Sequence, residues 1–271
     1  MMNTEITFHE GILERYDLND LHEKYVSAQP FEHIVIDDFL SRPHYELLER
    51  EFPGPEEDMW HKFRSGKENR KLQSQSMSDI PWHIRLFLSE TNGSSFTKFL
   101  EKVTGINGLI PDPHLDGGGL HQTLSGGHLG VHVDYNYHRR WNLDRRLNVI
   151  LYLNNDWDTE WGGSLEFWDR DVESCKKSVK PAGNRLVIFG TNEHSWHGHP
   201  APLTCPDHVT RKSIALYYYS NGRPENELAD EHNTVFRERP GEVFAKTSAE
   251  RLRDMVPTPI ANKLKRIIGK P

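Results

Sequence analysis

Cysteine is nearly missing from this chain: Cys175 and Cys205 are the only two. They stand far apart and in no metal-ligand spacing. That excludes a disulfide scaffold and fits ordinary thiols of a reducing compartment. Long apolar runs are missing too, none approaching the ~20 residues of a membrane span. The opening Met-Met-Asn-Thr-Glu-Ile has neither a basic region nor an apolar stretch, so no secretory signal is expected and the location expected is cytoplasmic. Positive charge is in short supply, with 33 Lys and Arg against 40 Asp and Glu and a net charge of −7. This argues against a general nucleic-acid binder, which would carry a basic domain. No internal repeat or low-complexity tract occurs. What remains is 35% hydrophobic and 10% aromatic residues in a chain of 271, enough for one large domain with a core.

The first third, 1–108, reads as a supporting region of helices and one strand. Leu13, Tyr16, Leu21 and Tyr25 have helical spacing across 10–28, and 31–40 reads as a strand. Ser41 caps a helix with Pro43 in its first turn, ending before Pro53. Residues 54–80 are polar and read as a long loop, the kind that contacts substrate beside an active site. Two helices follow near 81–89 and 94–103, the second capped by Ser94 or Ser95 and stopped by Gly105.

From 109 to 222 the character changes to Gly, Pro, β-branched and aromatic residues, with short strands between turns. The fold class is mainly β with flanking helices, and this block reads as a sandwich or jelly roll. Its strands are placed at 119–124, 128–134, 146–153, 164–168, 185–190 and 211–219. The tail, 223–271, reads as helical: Thr247-Ser-Ala-Glu250 is a capping box opening a helix that Pro257 ends, and 259–268 forms a last helix with a basic face.

Within the β block, His132 and Asp134 lie two apart between Val131 and Val133. In a strand such residues leave from one face, so an imidazole and a carboxylate point together. They make two-thirds of the 2-His-1-carboxylate triad of non-haem iron oxygenases. A second triplet, His114-Leu115-Asp116, sits between prolines and a Gly-Gly-Gly run, in a loop that holds nothing on one face. Downstream, Arg185-Leu-Val-Ile-Phe forms a strand that leads to three candidates for the third ligand, His194, His197 and His199.

The ordered set His132-Val-Asp134, Tyr152-Leu-Asn154, Gly162-Gly163, Arg185-Leu-Val-Ile-Phe189 and Arg211-Lys-Ser213 resembles the Fe(II)/2-oxoglutarate-dependent dioxygenase superfamily, in its prolyl 4-hydroxylase-like branch. The resemblance covers about 115–220. It implies a double-stranded β-helix, a cupin-like jelly roll, as the catalytic core. It implies Fe(II) on His132, Asp134 and a distal histidine, for which the count from Arg185 falls best on His197. It implies 2-oxoglutarate as co-substrate, with Arg211 on its far carboxylate through a planar bidentate fork and Ser213 beside it on the same face. Lys212 then faces away. Gln122, by ungapped count back from His132, stands where relatives place a co-substrate tyrosine. Leu151 departs from the tyrosine that some relatives carry, and Tyr152, one residue off, is expected on the other face, in the core.

The function implied is a hydroxylase that uses O2 and 2-oxoglutarate and releases succinate and CO2. Asp134 supports hydroxylation, because halogenases of this fold replace that carboxylate. The substrate implied is a small molecule, a peptidyl residue or a sugar, met by loop 54–80 and Asn136 to Arg140. Two alternatives stand: the same iron chemistry ending in desaturation, epimerisation or ring closure, or a non-catalytic jelly-roll binding module. Trp141, Trp157, Trp161 and Trp168 are expected as core or rim packing ahead of a substrate wall. The oligomeric state is not legible.

Overall fold

The computed structural model describes residues 7, 8 and 11–245. The chain opens with α1 (Ile12–Arg15) and α2 (Leu18–Val26), then β1 (His33–Ile36), α3 (Arg42–Glu51), β2 (Trp60–Arg64), β3 (Glu68–Ser74), α4 (Trp82–Thr91) and α5 (Ser94–Thr104). The β block then supplies β4 (Ile110–Pro111), β5 (Gly119–Val133), β6 (Tyr137–His138), β7 (Leu143–Tyr152), β8 (Leu165–Trp168), β9 (Cys175–Val179), β10 (Arg185–Gly190), β11 (His197–His199) and β12 (Arg211–Ser220). A last short strand, β13 (Val235–Phe236), comes after it.

These strands form one curled antiparallel sheet in the order β1-β10-β7-β12-β5-β11-β8-β9. Of the sandwich and the jelly roll that the strand pattern allowed, the jelly roll is the fold observed. Its closure turns on β5, a single strand of 15 residues where two shorter ones were expected. The first part of β5 pairs with β12 at Gly119–Thr123, while His132 pairs with His197 of β11. One strand therefore belongs to both walls of the roll, and the chamber lies between them.

The alternation of buried strands builds the two faces. On β10, Leu186 and Ile188 join the main core, while Val187 and Phe189 belong to a separate cluster with Phe167 and Tyr152. The main core also holds Leu147, Val149 and Leu151 of β7, packed with Phe96, Phe99, Leu100 and Val103 of α5. A strand buried on both sides needs apolar residues at both parities, and that is how β7 and β10 read.

Four expectations need correction. The segment 54–80 is no open loop: β2 and β3 form a hairpin, and β3 pairs with β5, extending the sheet. Its strands escaped notice because most of their side chains are exposed or half-buried; only Trp60, Leu72 and Ser74 are buried. The helix expected over 10–28 is two, because Asp17 accepts from the amides of Asn19 and Asp20 at 3.0 and 3.2 Å and so starts α2 afresh. Gly93, not Ser94 or Ser95, stands at the N-cap of α5, without a side-chain bond; Gly105 ends it in the left-handed region as expected. In the tail, 223–245 forms no α-helix, and Val235–Phe236 returns to pair with Val133 and His132. The two helices expected beyond Thr247 lie outside the described residues.

Candidate metal and co-substrate site

His132, Asp134 and His197 converge inside the roll, all buried, with their candidate ligand atoms within 4.8 Å of one another. His132 comes from β5, Asp134 from the residue just beyond it, and His197 from the facing position on β11. Each imidazole is aimed by the backbone two residues before it. His132 Nδ1 lies 2.9 Å from the Gly130 carbonyl, and His197 Nδ1 lies 2.8 Å from that of Ser195. A ring that donates from Nδ1 keeps its Nε2 lone pair free for a metal. Those Nε2 atoms stand 3.6 Å from Asp134 Oδ1 and 3.5 Å from Oδ2.

The close approach of β11 to β5 has a local cause in Gly198. A Cβ there would lie 2.7 Å from the Gly130 carbonyl oxygen and 2.8 Å from that of Leu129, so no other residue fits between the two histidines of β11.

Asp134 is held from behind. Asn148 of β7 donates to Oδ2 at 2.6 Å, and the Arg145 guanidinium sits 3.1 Å from the same oxygen. Arg145 also donates to Asn148 at 2.6 Å and lies over the Tyr217 and Tyr135 rings at 3.5 and 4.5 Å. Burial alone would raise the Asp134 carboxyl, but Arg145 and the two histidines outweigh it and hold it well below the usual carboxylate range. Burial, and then the neighbouring His132, push His197 down to about 3, so it is neutral, the form that binds metal. Two neutral-capable imidazoles and one fixed carboxylate are the donor set of a non-haem Fe(II) site. The residues fit the ion.

Arg211 reaches the same chamber from β12. It is 6% exposed, and its Nε donates to the Gly163 carbonyl at 2.6 Å. Gly163 has φ 73°, and a Cβ on it would meet Arg211 Cδ at 3.1 Å and Leu203 Cδ2 at 2.6 Å; the Gly-Gly turn makes room for the guanidinium. The other arm of Arg211 donates to Tyr152 Oη at 3.0 Å. No carboxylate of the described residues pairs with Arg211. Ser213 lines the chamber beside it, while Lys212 faces outward to Glu49 at 3.4 Å.

Two placements differ from expectation. Tyr152 is a chamber residue, buried and bonded to Arg211, not part of the outer core. Gln122 does not reach the chamber: it pairs with Lys212, and its amide donates to the Pro53 carbonyl at 3.2 Å. The reason is a bulge. His132 faces His197 but Leu129 faces His199, so three residues of β5 span two of β11. One extra residue exchanges the faces of everything before it, and His121 and Thr123 point inward instead.

The sequence reading also missed Lys71, Asn148, Arg145 and His121. Lys71 lines the chamber from β3, opposite Thr123, whose other neighbour is Arg211. It pairs with Glu68 at 3.2 Å and its side chain is 14% exposed. Burial, then Lys71, drive His121 down to about 3; burial, then Arg211 and Lys71, hold His199 well below its ordinary value. His199 is buried in the chamber, whereas His194 is exposed. Asn148 carried a usable signal: it is the one polar residue in the run Leu147 to Leu153, and it marks the inward parity that Ile150 and Tyr152 share. His114 and Asp116 do not join the triad; Asp116 Oδ2 instead meets His138 Nε2 at 3.1 Å. Trp157 and Trp161 pack edge-to-face at 5.4 Å, and Trp168 lies in a cluster with Val131, Val133 and Trp196, all packing uses.

Comparison with known proteins agrees with this geometry. Residues 118–219 match the model of the 2OG-Fe(II) oxygenase superfamily. Among curated proteins it is 29% identical over 205 residues to mouse (Mus musculus) prolyl 3-hydroxylase OGFOD1, a match spanning 72% of this chain. The chain spans only 34% of that relative's length. Among solved structures, a Trichoplax adhaerens prolyl hydroxylase, in complex with a peptide fragment of the hypoxia inducible factor oxygen degradation domain, superposes with a TM-score of 0.56. It covers 80% of this chain and 94% of its own, at 16% identity. A Pseudomonas putida prolyl-4-hydroxylase gives 0.51 at 14% identity, covering 74% and 98%. At such identities the likeness is one of fold: the jelly roll is shared with these structures.

Proposed function

We propose that the chain is an Fe(II)- and 2-oxoglutarate-dependent dioxygenase that hydroxylates an unactivated C–H bond of a peptidyl or small-molecule substrate. The observation that carries this reading is one chamber holding both the His132–Asp134–His197 donors and a buried Arg211 with no carboxylate of its own. His132, Asp134 and His197 would hold the iron. Arg211 and Ser213 would take the far carboxylate of 2-oxoglutarate, with Tyr152 orienting the guanidinium and Lys71 adding positive charge from the hairpin. Bound there, iron and 2-oxoglutarate supply O2 activation, decarboxylation to succinate and CO2, and oxygen transfer to carbon.

The protein's own residues do the rest. The Gly130 and Ser195 carbonyls fix the imidazole tautomers, and Asn148 and Arg145 hold the carboxylate ionised and in place. Phe189, edge-on to His197 at 4.7 Å, and Phe236, 5.2 Å from His132, shield the ligands from water. The name of the mouse relative puts a prolyl group first among substrates to try. Two free thiols, Cys175 and Cys205, suit a reducing, cytoplasmic setting.

The test is an anaerobic titration with Fe(II) and 2-oxoglutarate, following the weak visible charge-transfer band of the chelate. The band is expected in the wild type and absent in His132→Ala and His197→Ala. A wild type without the band at saturating iron and 2-oxoglutarate sinks the proposal.

A further inference from the structure

A second cavity, of about 470 Å³, lies beside the metal chamber. Gln73 of β3 stands on its wall and is paired in register with His121, a chamber residue. Directly opposed residues of an antiparallel pair share one face, so the cavity lies on the chamber side of the sheet. The two spaces also share a partition. The Gly117 carbonyl, on the cavity wall, accepts from the hydroxyl of Tyr217, which lines the chamber, at 2.8 Å. The cavity is built from three segments: the hairpin with Gln75, the loop His114 to Gly117 and the turn following Asp134.

The wall is rich in unspent donors. His138 is 5% exposed, stacked on Trp141 at 4.2 Å and 14°, with Nε2 on Asp116 and a buried Nδ1 that has no partner. Asp116 is the one carboxylate of the lining, and His138 engages it. Among the described residues, Arg140 has no carboxylate and no hydrogen-bond partner, and the rings of His61 and His114 make no hydrogen bond. A guanidinium and two imidazoles around an aromatic platform call for a ligand that brings acceptors and negative charge. A carboxylate meets that need through charge-assisted bonds to the planar Arg fork.

We infer that this cavity is a substrate subsite that receives a carboxylate on Arg140, next to the bond to be oxidised. The inference rests on the oxygenase reading of the adjoining chamber and adds to it a substrate chemistry. The carboxylate belongs either to an acidic side chain of a peptide or to a free carboxylic acid, and two pairs of probes separate these sources. Acetyl-Pro-Asp-amide is compared with acetyl-Pro-Asn-amide, and N-acetylproline with N-acetylprolinamide. Each is titrated calorimetrically, without O2, into the full chain at saturating Fe(II) and 2-oxoglutarate, so that Arg211 is occupied.

The expected result is a preference of about tenfold or more for the acid in at least one pair, which names the source. In Arg140→Gln that preference falls to within twofold; Arg140 is exposed, so folding is not at stake. Equal binding of acid and amide in both pairs overturns the inference, as does a preference that survives Arg140→Gln. The chelate band of the wild type is read on the same samples. Its failure removes the oxygenase reading, while the acid preference still decides what the cavity binds.

Discussion

Two buried arginines serve one site, Arg145 from behind Asp134 and Arg211 on the chamber wall, and they lead opposite lives. Arg145, 1% exposed, meets Asp134 at 3.1 Å, bonds Asn148 and lies between two tyrosine rings. Arg211, 6% exposed, is held by the Gly163 carbonyl and Tyr152 and meets no carboxylate of the described chain. A buried charge is tolerable only when something compensates it. For Arg145 the compensation is internal, so its role is to hold the site together. For Arg211 it must come from outside, so its role is to bind. The same side chain, equally buried, becomes architecture or receptor according to where its counter-charge lies.

The difference can be broken experimentally. The largest effect is expected from Arg145→Met, which leaves Asp134 buried without its cation. Urea unfolding should show a loss of about 3–5 kcal/mol, and a loss under about 1 kcal/mol would contradict the structural role. Next comes Arg211→Met. Its 2-oxoglutarate affinity, read from the chelate band, should weaken about 10²–10³-fold with little loss of unfolding free energy. A stable variant that still binds 2-oxoglutarate as the wild type does would show that Arg211 is not the anchor. Lys71→Gln sharpens the binding end: a roughly fivefold weaker 2-oxoglutarate affinity is expected, the moderate size reflecting its pairing with Glu68. The smallest effect belongs to Gln122→Ala, whose 2-oxoglutarate affinity should stay within about twofold because the side chain points at Pro53. A tenfold loss there would mean the bulged register of β5 is wrong.

Much of the site was legible because strand periodicity is local. His132 and Asp134 needed only alternation and β-branched neighbours, while Arg211 with Ser213 took the resemblance, alternation adding only that the two share a face. His197 took the resemblance, since nothing local separates it from His194 and His199. Tyr152 was misplaced because β7 is apolar on both faces, and Asn148 alone marks its parity. Gln122 was misplaced because a bulge leaves no mark in composition: Gly130 reads like any strand glycine until β11 is paired to it. The hairpin at 60–74 was missed because a mostly polar strand pair reads like a loop.

By itself, the sequence determined the β-rich class and the imidazole and carboxylate on one strand, because each follows from short-range periodicity and residue chemistry. Only the tertiary structure decided which face of β5 and β7 looks inward, and that Lys71 and the second cavity border the chamber. Those depend on register between distant strands, where a single extra residue turns every side chain before it to the opposite face.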